Sequence, residues 1–387
     1  MRTNVNNKTE NWYSSIYGWI LFIVISASGN LFVSTLLPYQ LIIVLLFIFS
    51  LFTVLKNKLL NINHLLIIYT WFLLLLIPYF YLQSFSIPST LHIFLKICIG
   101  IFTVLYCKDH LCKHYVDIMF FLAIISLLCF AYNCFIGVIP YIPVESTTID
   151  GGNIFRVSSI LYTQLYNGAA MELTLRNCGP FWEPGAFQGF INLALFINIF
   201  YCSNNNKYWL LKNIVFIVTV LTTLSTGGYI VLFIISALIV LYKTHWLQFT
   251  KMIVIFIIVL MAIYLYYSLE FLGDKISTDS SRTDISVDDI FVDNLYMVLF
   301  GFGYETNSFK TSSIKTAAAL INLIRYSGFF GFLLYLCPLL LGIKNQISIW
   351  FTIVLLLILF NEPYLTAGPF WWGVPLFLFY LRPSTPK

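Results

Sequence analysis

Two stretches decide the fold: Leu41–Leu55 (LIIVLLFIFSLFTVL) and Leu65–Phe80 (LLIIYTWFLLLLIPYF). Neither holds a charged residue, and neither alternates apolar with polar positions. A strand of a membrane barrel would alternate over about ten residues. A continuous apolar run reads instead as a helix, because lipid offers the backbone no partner and only a helix satisfies its own N–H and C=O groups. With roughly 20 apolar residues per crossing as the ruler, the same reading extends along the whole chain. It gives about twelve spans, at 16–35, 39–55, 64–83, 89–106, 115–137, 184–202, 209–224, 227–243, 248–269, 316–342, 347–361 and 364–382. The expected architecture is an all-α polytopic transmembrane bundle, a single integral membrane domain over 1–387.

Composition points the same way. Of 387 residues, 60% are hydrophobic and 10% charged, against about 25% charged in soluble domains. A soluble core would leave so much Leu, Ile and Phe as large exposed patches. The first fifteen residues are polar, and the apolar stretch behind them has no small-residue cleavage site, so it reads as a span. The eight cysteines lie mostly within apolar runs, as packing residues do. The net charge of +5 is spread over short loops and is no nucleic-acid signature. With the N-terminus in the cytoplasm, the inside segments collect Arg2, Lys8, Lys56, Lys58, Lys113 and Lys212 among other basic residues, and only Glu10, Asp109 and Asp117 among acids. That is the positive-inside bias, and it puts the C-terminus inside too.

Two long loops, 138–183 and 270–315, then fall outside. Long loops in a compact protein carry function or are disordered. These hold aromatics, glycines and both charge signs, which favours folded and functional segments. The first ends in Arg176-Asn177-Cys178-Gly179-Pro180-Phe181-Trp182-Glu183-Pro184-Gly185. Pro184 suits the first turn of a helix, so Glu183 stands at a helix start, where the dipole favours a carboxylate. On position alone Glu183 is a capping acid; its other reading is a hydroxyl-orienting or proton-accepting group. The second loop carries Arg282 among Asp279, Asp284, Asp288 and Asp289, then Gly301-Phe302-Gly303-Tyr304. Arg282 is either half of a surface pair worth little or a clamp for an anion. Arg325 lies inside an apolar stretch, where a charge defaults to a functional hypothesis; Gly328 and Gly331 allow a break there, and a structural pair with Glu362 is the plainer reading. Lys96, inside the fourth span, has the option of snorkelling outward. Cys107, His110, Cys112 and His114 fit no strong zinc template and read as a basic capping loop. Ser225-Thr226-Gly227-Gly228 reads as a turn or a helix break.

Taken in order, these pieces resemble one family, the O-antigen polymerase (Wzy-type) and O-antigen ligase superfamily of membrane glycosyltransferases. Arg-x-x-Gly-x-Phe-x-Glu-Pro is met by Arg176, Gly179, Phe181, Glu183 and Pro184; Ser225-Thr226-Gly227 follows in the next hairpin; Ser281-Arg282-Thr283-Asp284, Gly301–Gly303 and Asn322-Leu323 through Gly328 and Gly331 complete the pattern. The resemblance spans about 170–340. It implies a fold like that of the GT-C membrane glycosyltransferases and a reaction needing neither metal nor cofactor. The donor would be an undecaprenyl-pyrophosphate-linked glycan, and a hydroxyl of a second lipid-linked repeat unit would attack its anomeric carbon. Partners are then the lipid-linked glycan, the bilayer and a polysaccharide chain-length regulator, with no nucleic acid. By the same resemblance Glu183, Arg176 and Arg282 are the catalytic candidates, and Arg325, Arg156, Asn322 and Tyr304 the substrate-binding ones. The ligase branch carries a histidine in the second external loop; Phe309–Thr316 has none, which favours polymerase. Two alternatives stand beside it: an O-antigen ligase acting on lipid A–core, and a flippase for lipid-linked oligosaccharides. Against the flippase, charges gather in two loops and no internal repeat is visible.

Overall fold

The computed structural model describes residues 13, 15–36, 38–81, 86–140, 142–144, 154–167, 172–202, 208–244, 248–254, 256, 295–304 and 318–381. Arg282, most of the second long loop and the greater part of the span read at 248–269 lie outside the described residues. The chain is mostly helical. Among the described residues, six helices are long and apolar enough to cross a membrane: Tyr39–Lys56, Ile62–Phe80, Ile87–Cys107, Leu111–Phe135, Thr226–Lys243 and Ala319–Leu341; Pro184–Phe200, Trp209–Thr223 and Gln346–Asn361 are apolar but shorter.

We number the elements in chain order: α1 Ile16–Ala27, α2 Leu31–Leu36, α3 Tyr39–Lys56, α4 Ile62–Leu76, α5 Ile87–Cys107 and α6 Leu111–Phe135. Strands β1 Ile142–Val144, β2 Ile154–Ser159, β3 Tyr162–Asn167 and β4 Glu172–Thr174 follow. Then come α7 Pro184–Phe200, α8 Trp209–Thr223, α9 Thr226–Lys243, α10 Leu295–Phe300, α11 Ala319–Leu341, α12 Gln346–Asn361 and three short helices, α13 Tyr364–Ala367, α14 Phe370–Gly373 and α15 Phe377–Tyr380.

Two regions depart from unbroken spans. The first span stops at Ala27 and resumes at Leu31. Ser28 turns its hydroxyl back onto Val24 O at 2.7 Å, and Leu31 N donates to Pro180 O at 3.1 Å, so the gap is held by the segment that leads into α7. The last span breaks into α13–α15 because Pro363, Gly368, Pro369, Gly373 and Pro375 punctuate it; proline lacks the N–H and clashes with the preceding turn.

The described residues of the first long loop form a four-stranded antiparallel sheet in the order β1-β2-β3-β4, with Arg156 opposite Leu165 and Val144. It docks on the helices by Asn30 Nδ2 to Ile160 O (3.0 Å), Gln164 Nε2 to Ile139 O (2.9 Å) and Thr163 N to Gly179 O (2.7 Å). The sheet thereby fixes the strand that runs from β4 into the start of α7.

At the centre stands α7, every residue of which is buried, packed by α6, α8, α9 and α12. Apolar helices gain little by hiding from lipid tails, so close packing and interhelical hydrogen bonds hold such a bundle. On α7 both are present: Phe190 stacks on Phe181 at 4.3 Å, and Tyr115 Oη donates to Phe190 O at 2.9 Å. The start of α7, the end of α8, the start of α9, the start of α11 and the end of α12 share one end of the bundle. Towards the other end, near the starts of α6 and α8, Lys212 pairs with Asp117.

Candidate functional site

The site is built around the first turn of α7. Proline disfavours helical angles in the residue before it, so Glu183 is extended (φ −151°, ψ 156°) and becomes the N-cap, with its C=O taking Phe187 N at 3.1 Å. Its side chain does not cap the helix. It reaches instead to Arg156 of β2, whose Nη2 donates to Glu183 Oε1. The Arg156 side chain is 12% exposed and that of Glu183 27%, so the pair is partly desolvated yet still open to water and salt on the carboxylate side. The local chain thus provides both charges: the sheet delivers the guanidinium, and the Glu-Pro corner delivers the acid.

Arg176 lies a few residues upstream. Its Nε donates to Thr223 O at 3.3 Å and its Nη2 to Leu224 O at 3.0 Å. Those are carbonyls at the C-terminal end of α8, where the helix dipole favours a cation. Asn177 adds Nδ2 bonds to Thr222 Oγ1 (3.0 Å) and Ser126 Oγ (3.3 Å). Leu224, in the left-handed region at φ 48°, ends α8, and Ser225 starts α9. Leu224–Ser225 is therefore the helix break the sequence allows, Thr226–Gly228 form the first turn of α9, and Arg176 is seated on the carbonyls just before them.

The third group comes from α11. Gly301 (φ 80°) and Gly328 (φ 65°) press backbone on backbone: a Cβ on Gly301 would strike the Tyr326 carbonyl group, and one on Gly328 that of Leu299. Phe302 N donates to Arg325 O at 2.8 Å and Gly303 N to Tyr326 O at 3.0 Å, while Tyr304 Oη lies 3.3 Å from Ser327 Oγ. The break anticipated in this span sits at Gly328. Arg325 is half-buried; Asn322 and Tyr304 are buried. Burial pushes the Tyr304 phenol well above its ordinary value, with Ser327 pulling the other way, so it acts as a neutral hydrogen-bonding group.

One residue binds these groups together, and sequence reasoning gave it only a structural part. Glu362 ends α12, is 2% exposed, and lies directly over Gly185: a Cβ built on Gly185 would overlap the Glu362 carboxylate. Its backbone C=O takes Ala319 N, the first residue of α11, at 3.1 Å. Beside it, Asn361 fills the space over Gly227, and Tyr364 Oη donates to Gly185 O (2.9 Å) and Ala186 O (3.1 Å). The signal that would have found it is a second Glu-Pro dipeptide in an apolar run. One turn deeper on the same face of α7, Asn192 Nδ2 donates to Gly228 O (3.1 Å) and Gln188 Oε1 (2.9 Å). Those bonds fix both amide orientations. Among the described residues they leave Gln188 Nε2 and Asn192 Oδ1 buried without a protein partner.

Lys96 does not snorkel. It is buried, donates to Thr366 O at 2.7 Å and lies over the Tyr39 ring at 5.2 Å, fastening the broken segment after Glu362. The rings of Tyr17, His110 and His114 stack in series at 5.0 and 5.6 Å. Compared with family models, curated proteins and solved structures, the chain matches none.

Proposed function

We propose that this chain is a membrane glycosyltransferase. It polymerises undecaprenyl-pyrophosphate-linked oligosaccharide repeat units into a surface polysaccharide on the outer face of the bacterial cytoplasmic membrane. The observation that carries this reading is the Arg156–Glu183 pair at the start of a wholly buried helix, beside Arg176 and the sheet that carries Arg156. It supplies fixed positive charge and one carboxylate at the end of a bundle whose flanks suit a lipid tail. The order of motifs that resembles the polymerase and ligase superfamily supports it as well.

The chemistry asks little more. The hydroxyl oxygen of the acceptor attacks the anomeric carbon of the donor. The bond from that carbon to the pyrophosphate oxygen breaks, and undecaprenyl pyrophosphate leaves with the electron pair. The hydroxyl proton passes to a carboxylate, for which Glu183 is the nearest choice. Positioning two lipids and stabilising charge on the leaving group supply most of the acceleration. Arg176, Arg325 and Arg282 are the groups we assign to the pyrophosphate, with Asn322 and Tyr304 binding sugar hydroxyls.

The test is direct. Purified protein in liposomes is given a lipid-linked repeat unit, and chain growth is followed as a gel ladder. Glu183→Gln, Arg176→Ala and Arg282→Ala are expected to abolish the ladder at normal protein yield. Normal ladders from all three would remove the site assignment, and transfer only to lipid A–core would make the protein a ligase.

A further inference from the structure

We propose that Glu362 is a positioning residue of this site, holding the first turn of α7, and with it Glu183, in its working place; the inference rests on the glycosyl transfer proposed above.

Three observations carry it. Glu183 and Glu362 occupy twin corners. Each precedes a proline, and their backbone angles nearly coincide, at φ −151°, ψ 156° and φ −146°, ψ 156°. The carboxylate of the second corner is buried over the second residue of the helix that the first corner starts, at a place only a glycine leaves open. A negative charge at a helix N-terminus is stabilised by the unpaired N–H groups and the dipole, so this placement suits a carboxylate. Last, the Glu362 backbone accepts from Ala319 N, which ties the start of α11, with Asn322 and Arg325 on its next turns, to the same corner. That bond is made by the main chain, so a change confined to the Glu362 side chain disturbs the acid-bearing turn and leaves the arginine-bearing helix in place.

Glu362 does this without touching the reacting atoms. Its loss is expected to lower turnover and leave donor binding alone, because a small displacement of a catalytic group costs rate first. The experiment uses the full chain in liposomes with the lipid-linked repeat unit isolated from the source cells. Glu362→Gln keeps the shape and removes the charge. Gly185→Ala keeps the charge and displaces the carboxylate. Both are expected to lower kcat roughly tenfold to hundredfold with unchanged KM. Combining Gly185→Ala with Glu362→Asp, which retracts the carboxylate by one methylene, is expected to recover part of the rate lost in Gly185→Ala. A wild-type kcat in Glu362→Gln, or a change in KM alone, overturns the proposal.

A second readout does not depend on polymerisation. A water-soluble carbodiimide with an amine is used to label Glu183, scored by mass spectrometry. Faster labelling in Glu362→Gln and Gly185→Ala than in the wild type supports the positioning role, and equal labelling overturns it. Should the wild type make no ladder, the glycosyl-transfer reading fails and the labelling alone decides the place of Glu362. Should Glu183→Gln abolish the ladder while Glu362→Gln is normal in both assays, that reading stands and this inference falls.

Discussion

The corner at Glu183-Pro184 and the corner at Glu362-Pro363 are built from the same dipeptide with the same backbone angles, yet they do different things. At the first, the acid turns toward the sheet, meets Arg156 and stays about a quarter exposed. At the second, the acid is buried against Gly185 and beneath the start of α11. Local chemistry explains the shared part, since proline forces its predecessor into an extended conformation. It does not assign the roles. Those come from what the fold brings opposite: a guanidinium in one case, a glycine in the other. A Glu-Pro motif by itself announces a corner, and only the partner shows whether its carboxylate faces substrate or structure.

The comparison breaks most sharply at Glu183. Replacing it by Gln is expected to cost about 10²- to 10⁴-fold in the rate of chain growth, the range for loss of a general base, read as initial rates from the gel ladder. A loss of tenfold or less would put the proton elsewhere and leave Glu183 a partner for Arg156 only.

Stability separates the corners next. Arg156→Met is expected to destabilise the protein by about 1–3 kcal/mol, because it strands a half-buried carboxylate. The effect should shrink in high salt, which already weakens the pair in the parent. Tyr364→Phe, at the inner corner, is expected to cost about 1 kcal/mol. The Gly185 carbonyl also serves the helix ladder, so no acceptor is orphaned; the inner loss should not change with salt. Thermal unfolding in detergent at two ionic strengths measures both. Equal salt dependence would erase the distinction between the ion pair of the outer corner and the neutral Tyr364 bond at the inner one.

How far the sequence reached can be judged at these same residues. Continuous apolar runs gave the helices, since period and length survive any tertiary context. Pro184 announced the start of α7, and Gly328 the break in α11, because both residues act through their own backbones. The sheet over 142–174 was readable only as a folded loop: its strands are short, and Ser158, Thr163 and Gln164 are buried polar positions that blur the alternation a strand should show. Arg156 was singled out without its partner, and Glu362 was named as a pair for Arg325 without its place over Gly185. Both pairings join residues far apart along the chain, and no local pattern encodes which acid meets which surface. Lys96 was left open for the same reason. The carbonyl that receives it at Thr366 exists only because α13 ends at Ala367 and exposes that backbone.

The mildest test asks whether the outer corner is as closed as its backbone suggests. Cys178 sits five residues before Glu183, fully buried, and its C=O takes Phe181 N at 3.1 Å. Burial pushes its thiol up to about 12, against a smaller opposing pull from Arg176. Thiolate, not thiol, is the nucleophile. At pH 8 iodoacetamide is therefore expected to modify exposed Cys134 and spare Cys178, as peptide masses would show. The sign of the linkage follows. The unfolded thiol ionises near 9 and the folded one near 12, so the folded state holds more protons in between. This group's contribution is complete below about 9 and is lost as pH rises towards 12. Alkylation of Cys178 at pH 8 as fast as Cys134 would mean that the segment before Glu183 opens freely. The outer corner would then owe its place to Glu362 and the first turn of α7, and not to the sheet.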